Sequence, residues 1–138
     1  MQSIRKILIV LAALLVLGIF VPAASASTPK GFHLDKTCAS APSEPLGYIC
    51  TVTHSDFRWI PAGTDVRYLS QDGNVVRALI RTAHGSTSGA CTWSSDVDAV
   101  CRFDTGTGRL TQFHLVVVVT ANADQSIWYW NGTYRFGG

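Results

Sequence analysis

The sequence predicts an all-β domain, folded as a small antiparallel barrel and tied by two disulfides. Three observations carry this. From Tyr48 onward, short alternating or β-rich runs follow one another between turn signals, and no amphipathic helical stretch appears. The last two runs are long for so small a domain, about 11 residues each. An open two-sheet sandwich would expose their edges, and barrel closure removes them. Finally, Cys38, Cys50, Cys91 and Cys101 make an even count of cysteines.

The chain starts with Arg5 and Lys6, an unbroken apolar run from Ile7 to Val21, then Pro22 and the small residues Ala24-Ser25-Ala26. That order reads as a secretory signal peptide over residues 1–26. The apolar run falls short of the roughly 20 residues that span a bilayer, so cleavage is expected rather than a retained anchor. The 138 residues less these 26 leave 112, enough for one domain with one core. The 11 Lys and Arg lose two with the leader and leave 9 against 9 Asp and Glu. A neutral domain makes no global electrostatic case for nucleic acid or for an anionic membrane. In an exported chain, four cysteines point to disulfides rather than thiol chemistry. Neither Cys-x-x-Cys nor a zinc-type His pair is present, so no metal is expected.

Residues 27–45, rich in Pro, Ser, Thr, Lys and Ala, read as an irregular lead-in, with the barrel domain over 46–138. "GYICTVTH" alternates as a strand, with Tyr48, Cys50 and Val52 on one face. "FRWIPAGT" ends in a turn, "DVRYLS" is a short strand, and "QDGN" is a hairpin signal before "VVRALIRTA". "HGSTSG" reads as a loop. Two short strands flank Asp96, which puts Cys91 and Cys101 across a hairpin and pairs them; Cys38 with Cys50 follows by elimination. "TGTG" then leads into "RLTQFHLVVVVTA", a turn at "NADQ" and "SIWYWNGTYRFG", which makes seven or so strands.

Gly106-Thr-Gly108 raises the question of a phosphate loop. A dinucleotide fingerprint needs a third glycine where Thr111 stands, and a helix where a Val-rich strand is expected from Arg109 onward. The two glycines therefore read as a tight turn with positive φ at both, and no cofactor is expected. The aspartates at 56, 65, 72, 96, 98, 104 and 124 read as turn chemistry. The segment around His84 does not match Gly-x-Ser-x-Gly, so a serine hydrolase is not expected. Asn131-Gly-Thr133 matches a glycosylation sequon but lies inside a strand.

The candidate site lies in the last two strands. If the "NADQ" turn pairs even-numbered residues with even-numbered ones, one face carries Gln112, His114, Val116, Val118, Trp128, Trp130 and Tyr134. Such a face is aromatic, apolar and sparsely polar, as in pockets for small apolar ligands, and equally as in a plain barrel core. His114, flanked by Phe113 and Leu115, is either a general acid or base or a hydrogen-bonded structural histidine. Lys30 and Lys36, the only lysines after the leader, are assigned no function.

From about Tyr48 to Phe136 the chain resembles the allene oxide cyclase and dirigent barrel superfamily, most closely its small exported bacterial members. The resemblance rests on Cys101-Arg-Phe103, Gly106-Thr-Gly108, Phe113-His114 and Trp128-Tyr-Trp130-Asn-Gly132-Thr-Tyr134. It implies eight antiparallel strands in a lipocalin-like barrel and implies no activity for the bacterial branch. Gln112 stands where the plant pattern has a further glycine, so no plant catalytic residue is carried over. Two functions follow as expectations: a secreted, non-catalytic barrel that binds a small apolar or aromatic ligand or a surface partner, or a cyclase- or isomerase-like enzyme that works in the lumen through His114.

Overall fold

The computed structural model describes residues 27–138, so the expected leader lies outside the described residues. Eight strands run in meander order: β1 (Lys30–Ser40), β2 (Tyr48–Ser55), β3 (Asp65–Asp72), β4 (Val75–Thr82), β5 (Gly85–Trp93), β6 (Ala99–Gly106), β7 (Phe113–Ala121) and β8 (Trp128–Phe136). Each pairs antiparallel with its neighbours in sequence, and β1 also pairs with β8, so the sheet closes into a barrel without free edges. Alternate residues point inward and fill the lumen, as with Val76, Ala78 and Ile80 on β4 and Phe113, Leu115, Val117 and Val119 on β7.

Both disulfides join the expected pairs. Cys38 and Cys50 stand directly opposite on β1 and β2, Cys91 and Cys101 on β5 and β6, each pair with Cα atoms 3.9 Å apart.

Several expectations for the local structure are corrected. The segment read as an irregular lead-in contains β1, 11 residues long, so the barrel starts at Lys30 rather than at residue 46. Its prolines and serines lie outside β1 or at its end, whereas Phe32, Leu34 and Lys36 alternate inward between β8 and β2. The "HGSTSG" loop is mostly β5, because the turn needs only Ala83 and His84. β7 and β8 have nine residues each, not 11. Arg109 belongs to a single 3₁₀ turn, Gly108–Leu110, and the strand begins only at Phe113. Of the two glycines before it, only Gly108 has positive φ, at 58°; a Cβ on Gly106 would lie 2.0 Å from the carbonyl oxygen of Leu110, so that glycine is required for close approach instead.

The two ends of the barrel differ. At one end, residues 56–64 fold across the opening and drive Phe57 and Ile60 into the core, joined by Leu110 from the 3₁₀ turn. Phe57 stacks on Phe113 with centroids 5.2 Å apart and meets Tyr134 at 4.6 Å. The opposite end, where β1 meets β2, β3 meets β4, β5 meets β6 and β7 meets β8, has no such plug.

Candidate functional site

At the unplugged end the lumen widens into a chamber of about 620 Å³. Its walls are Tyr48 of β2, Tyr68 of β3, Val76 of β4, Trp93 of β5 and Trp128 of β8, together with the Cys38–Cys50 disulfide. Polar residues from the hairpin turns form the mouth: Gln71 and Asn74, Ser94 to Asp96, and Gln125. An apolar body with a few polar groups at its rim is the usual make-up of a small-molecule site. The aromatic walls pack in pairs, Tyr48 with Tyr68 at 5.2 Å and Trp93 edge-to-face with Trp128 at 5.7 Å.

The chemistry of this chamber is concentrated in Lys36. Its place on β1, on the same face as Phe32, Leu34 and Cys38, directs the side chain inward, and it is only 2% exposed. The β1–β2 register slips between Asp35 and Lys36, and the β3–β4 register slips just after Tyr68. Such irregularities re-aim side chains and recur beside functional sites. Lys36 Nζ lies 5.4 Å from the ring centres of Tyr68 and Trp130 and 5.6 Å from that of Trp128. Its closest polar contact is weak, 3.7 Å to Cys38 Sγ. Among the described residues no carboxylate lies within 4.0 Å of it; the recorded ion pairs involve His33, Arg67 and His114 instead. Enclosure without a counter-ion disfavours the ammonium form, and burial lowers the Lys36 pKa to about 7. Burial also pushes the phenols of Tyr68 and Tyr48 up, that of Tyr68 further with Tyr48 beside it, so both stay neutral.

The expected site residues do not share one face. Ala121 pairs with Trp128 across a six-residue turn, and an even turn length sets odd-numbered β7 residues opposite even-numbered β8 residues. The inner face of β7 is therefore Phe113, Leu115, Val117 and Val119, while His114, Val116 and Val118 point outward, Val118 being 51% exposed. Gln112 sits in the turn before β7 with φ at 58°. Trp128 and Trp130 do belong to the lumen at the chamber end, and Tyr134 lies on the same side at the plugged end among Phe32, Phe57 and Phe113.

His114 has found the partner that its strand position required, on the outer surface rather than in the lumen. Its Nδ1 is 2.9 Å from Oδ1 of Asp104, an aspartate that lies within β6 and not in a turn. A histidine there does not face the lumen, so the role expected of His114 in the cyclase-like alternative is corrected. A second outer-surface group joins His33 to Asn131 at 2.6 Å and to Asp35 at 3.0 Å. Among the described residues no three His, Cys, Asp or Glu side chains gather as a metal site would require, and no helix is long and apolar enough to cross a membrane.

Reading the sequence missed Lys36, Tyr48, Tyr68 and Trp93. For Lys36 a signal existed: in "FHLDKTC" the residues Phe32, Leu34, Lys36 and Cys38 alternate, and recognition of β1 would have put the amine inside. No family model, no curated protein and no solved structure matches the chain.

Proposed function

We propose that this chain is an exported β-barrel that binds a small apolar or aromatic molecule in the chamber at the unplugged end of its lumen. The observation that carries the reading is a cavity of about 620 Å³ whose walls are aromatic and whose mouth is ringed by turn residues. A plain barrel core would fill that space with side chains, as the other end of this barrel does with Phe57, Ile60 and Leu110. Export accords with the leader pattern over residues 1–26 and with two disulfides, which persist in oxidising compartments. Kinship with the allene oxide cyclase-like and dirigent-like barrels is part of the same proposal, supported by eight antiparallel strands in meander order and by the motifs quoted above.

The test is a titration of the disulfide-intact protein with a panel of naphthalene-sized aromatic molecules, followed by tryptophan emission. Saturable binding is expected for the wild type and at least tenfold weaker binding for Trp128→Ala, which removes one wall; a loss of about 1.4 kcal/mol corresponds to that factor. Absence of saturable binding across the panel would overturn the reading.

A further inference from the structure

We propose that Lys36 captures a carbonyl: the chamber takes a small apolar aldehyde or ketone, and Lys36 Nζ holds it as an imine. This inference rests on the ligand-binding reading of the same chamber.

The geometry supports it in three ways. Lys36 is the amine that lines the cavity, on a strand whose inner face is otherwise Phe32, Leu34 and Cys38. Nζ is surrounded by the rings of Tyr68, Trp128 and Trp130 and has no carboxylate within 4.0 Å among the described residues, so no ion pair holds it protonated or blocks its lone pair. The other titratable groups that line the chamber are Tyr48 and Tyr68, both held neutral, and Asp96 at the mouth. A desolvated amine of this kind is a nucleophile at neutral pH. With the Lys36 pKa lowered to about 7, about half of the molecules carry the free amine at that pH, against roughly one in 3,000 for an ordinary lysine at 10.5.

The step balances without a further reactant. The Nζ lone pair attacks the carbonyl carbon while the C=O π pair moves to oxygen, and one proton passes from nitrogen to that oxygen to give the carbinolamine. The nitrogen then loses its second proton as the hydroxyl leaves, so the products are a C=N bond and one water. The apolar ring walls limit the return of water that would hydrolyse the imine. When the imine is protonated, its charge sits over the same three rings that surround the ammonium.

The experiment treats the disulfide-intact protein at pH 7 with 2-naphthaldehyde and sodium cyanoborohydride, with 2-naphthalenemethanol as the carbonyl-free control, and maps the hydride-stable adduct by peptide mass analysis. Lys30 is the only other lysine after the leader, and it is exposed. Apart from the terminal α-amine, which ordinary reductive alkylation reaches at this pH, the proposal expects one adduct, on Lys36, formed at least tenfold faster than on Lys30 and suppressed by excess 2-naphthalenemethanol. Lys36→Met should bind the alcohol but form no adduct in the chamber. If the aldehyde and alcohol bind while Lys36 stays unmodified, or if 2-naphthoate binds more tightly than either, carbonyl capture is wrong and the ligand-binding reading stands. If nothing binds, both fall. Equal labelling of Lys30 and Lys36 would also overturn the capture, because it would show ordinary amine reactivity.

Discussion

Burying Lys36 costs this barrel stability, and its titration makes that cost measurable. In the unfolded chain the amine titrates near the ordinary 10.5, and in the barrel near 7, because burial disfavours the charge. Between these values the unfolded chain binds the extra proton, so stability rises with pH across about pH 7 to 10.5. A lowered lysine pKa acts in this direction: the penalty is complete below 7, where the amine is charged in both states, and is gone above 10.5, where it is neutral in both. The difference amounts to up to about 5 kcal/mol over the window. Tyr68 and Tyr48, raised by burial, act oppositely once the unfolded phenols ionise near 10.0, so the maximum should lie between pH 9 and 10. Urea unfolding across pH 6 to 10 should show this rise in the wild type. Lys36→Met, similar in volume and uncharged, should be the more stable protein at pH 6 and should show a much flatter profile. Equal profiles for the two would mean that the amine is hydrated rather than enclosed.

At the scale of strands, the β7–β8 hairpin shows where sequence reading succeeded and where it failed. The strands themselves were legible because Val116 to Val119 and Trp128 to Trp130 are strong β-formers on either side of a turn signal. Their facing was misassigned, although one residue of turn length inverts every side chain: a four-residue turn at "NADQ", like the observed turn of six, pairs odd-numbered residues with even-numbered ones, and only an odd turn length gives even–even pairing. The inversion moved His114 from the lumen to Asp104 on the surface. β1 was missed because the Pro, Ser, Thr and Lys content of residues 27–45 outweighed the alternation of Phe32, Leu34, Lys36 and Cys38, and because its partner β8 is known only once the barrel closes. Within β8, Gly132 marks a close approach. A Cβ there would lie 1.9 Å from the carbonyl oxygen of Val116, a backbone atom that cannot swing aside. Gly132→Ala should therefore destabilise the barrel by about 1 to 3 kcal/mol through overpacking. Gly31→Ala on β1, where a Cβ would meet nothing within 4 Å, is the control and should be neutral or mildly stabilising. Equal unfolding midpoints for the two variants would contradict the close packing of β7 on β8.

For the molecule as a whole, closure decides both stability and site. Eight strands make a lumen narrow enough for side chains to fill, and here they fill one end and leave the other hollow. Fold class and both disulfides could be read from alternation, turn spacing and cysteine positions, because those signals are local. The chamber could not, because its walls come from six strands and from turns far apart in sequence, and only closure brings Tyr48, Tyr68, Trp93 and Trp128 around Lys36. The four tryptophans provide a direct readout of occupancy. Trp93 and Trp128 line the chamber and Trp130 is buried beside Lys36, whereas Trp59 lies at the plugged end against His84, Arg58 and Arg109. The decisive measurement is a ¹H–¹⁵N titration of the indole N–H signals with 2-naphthalenemethanol. Occupancy of the chamber predicts saturable shifts of the Trp93 and Trp128 signals with one common affinity while Trp59 stays fixed. Unmoved chamber indoles, or saturable shifts confined to Trp59, would contradict it.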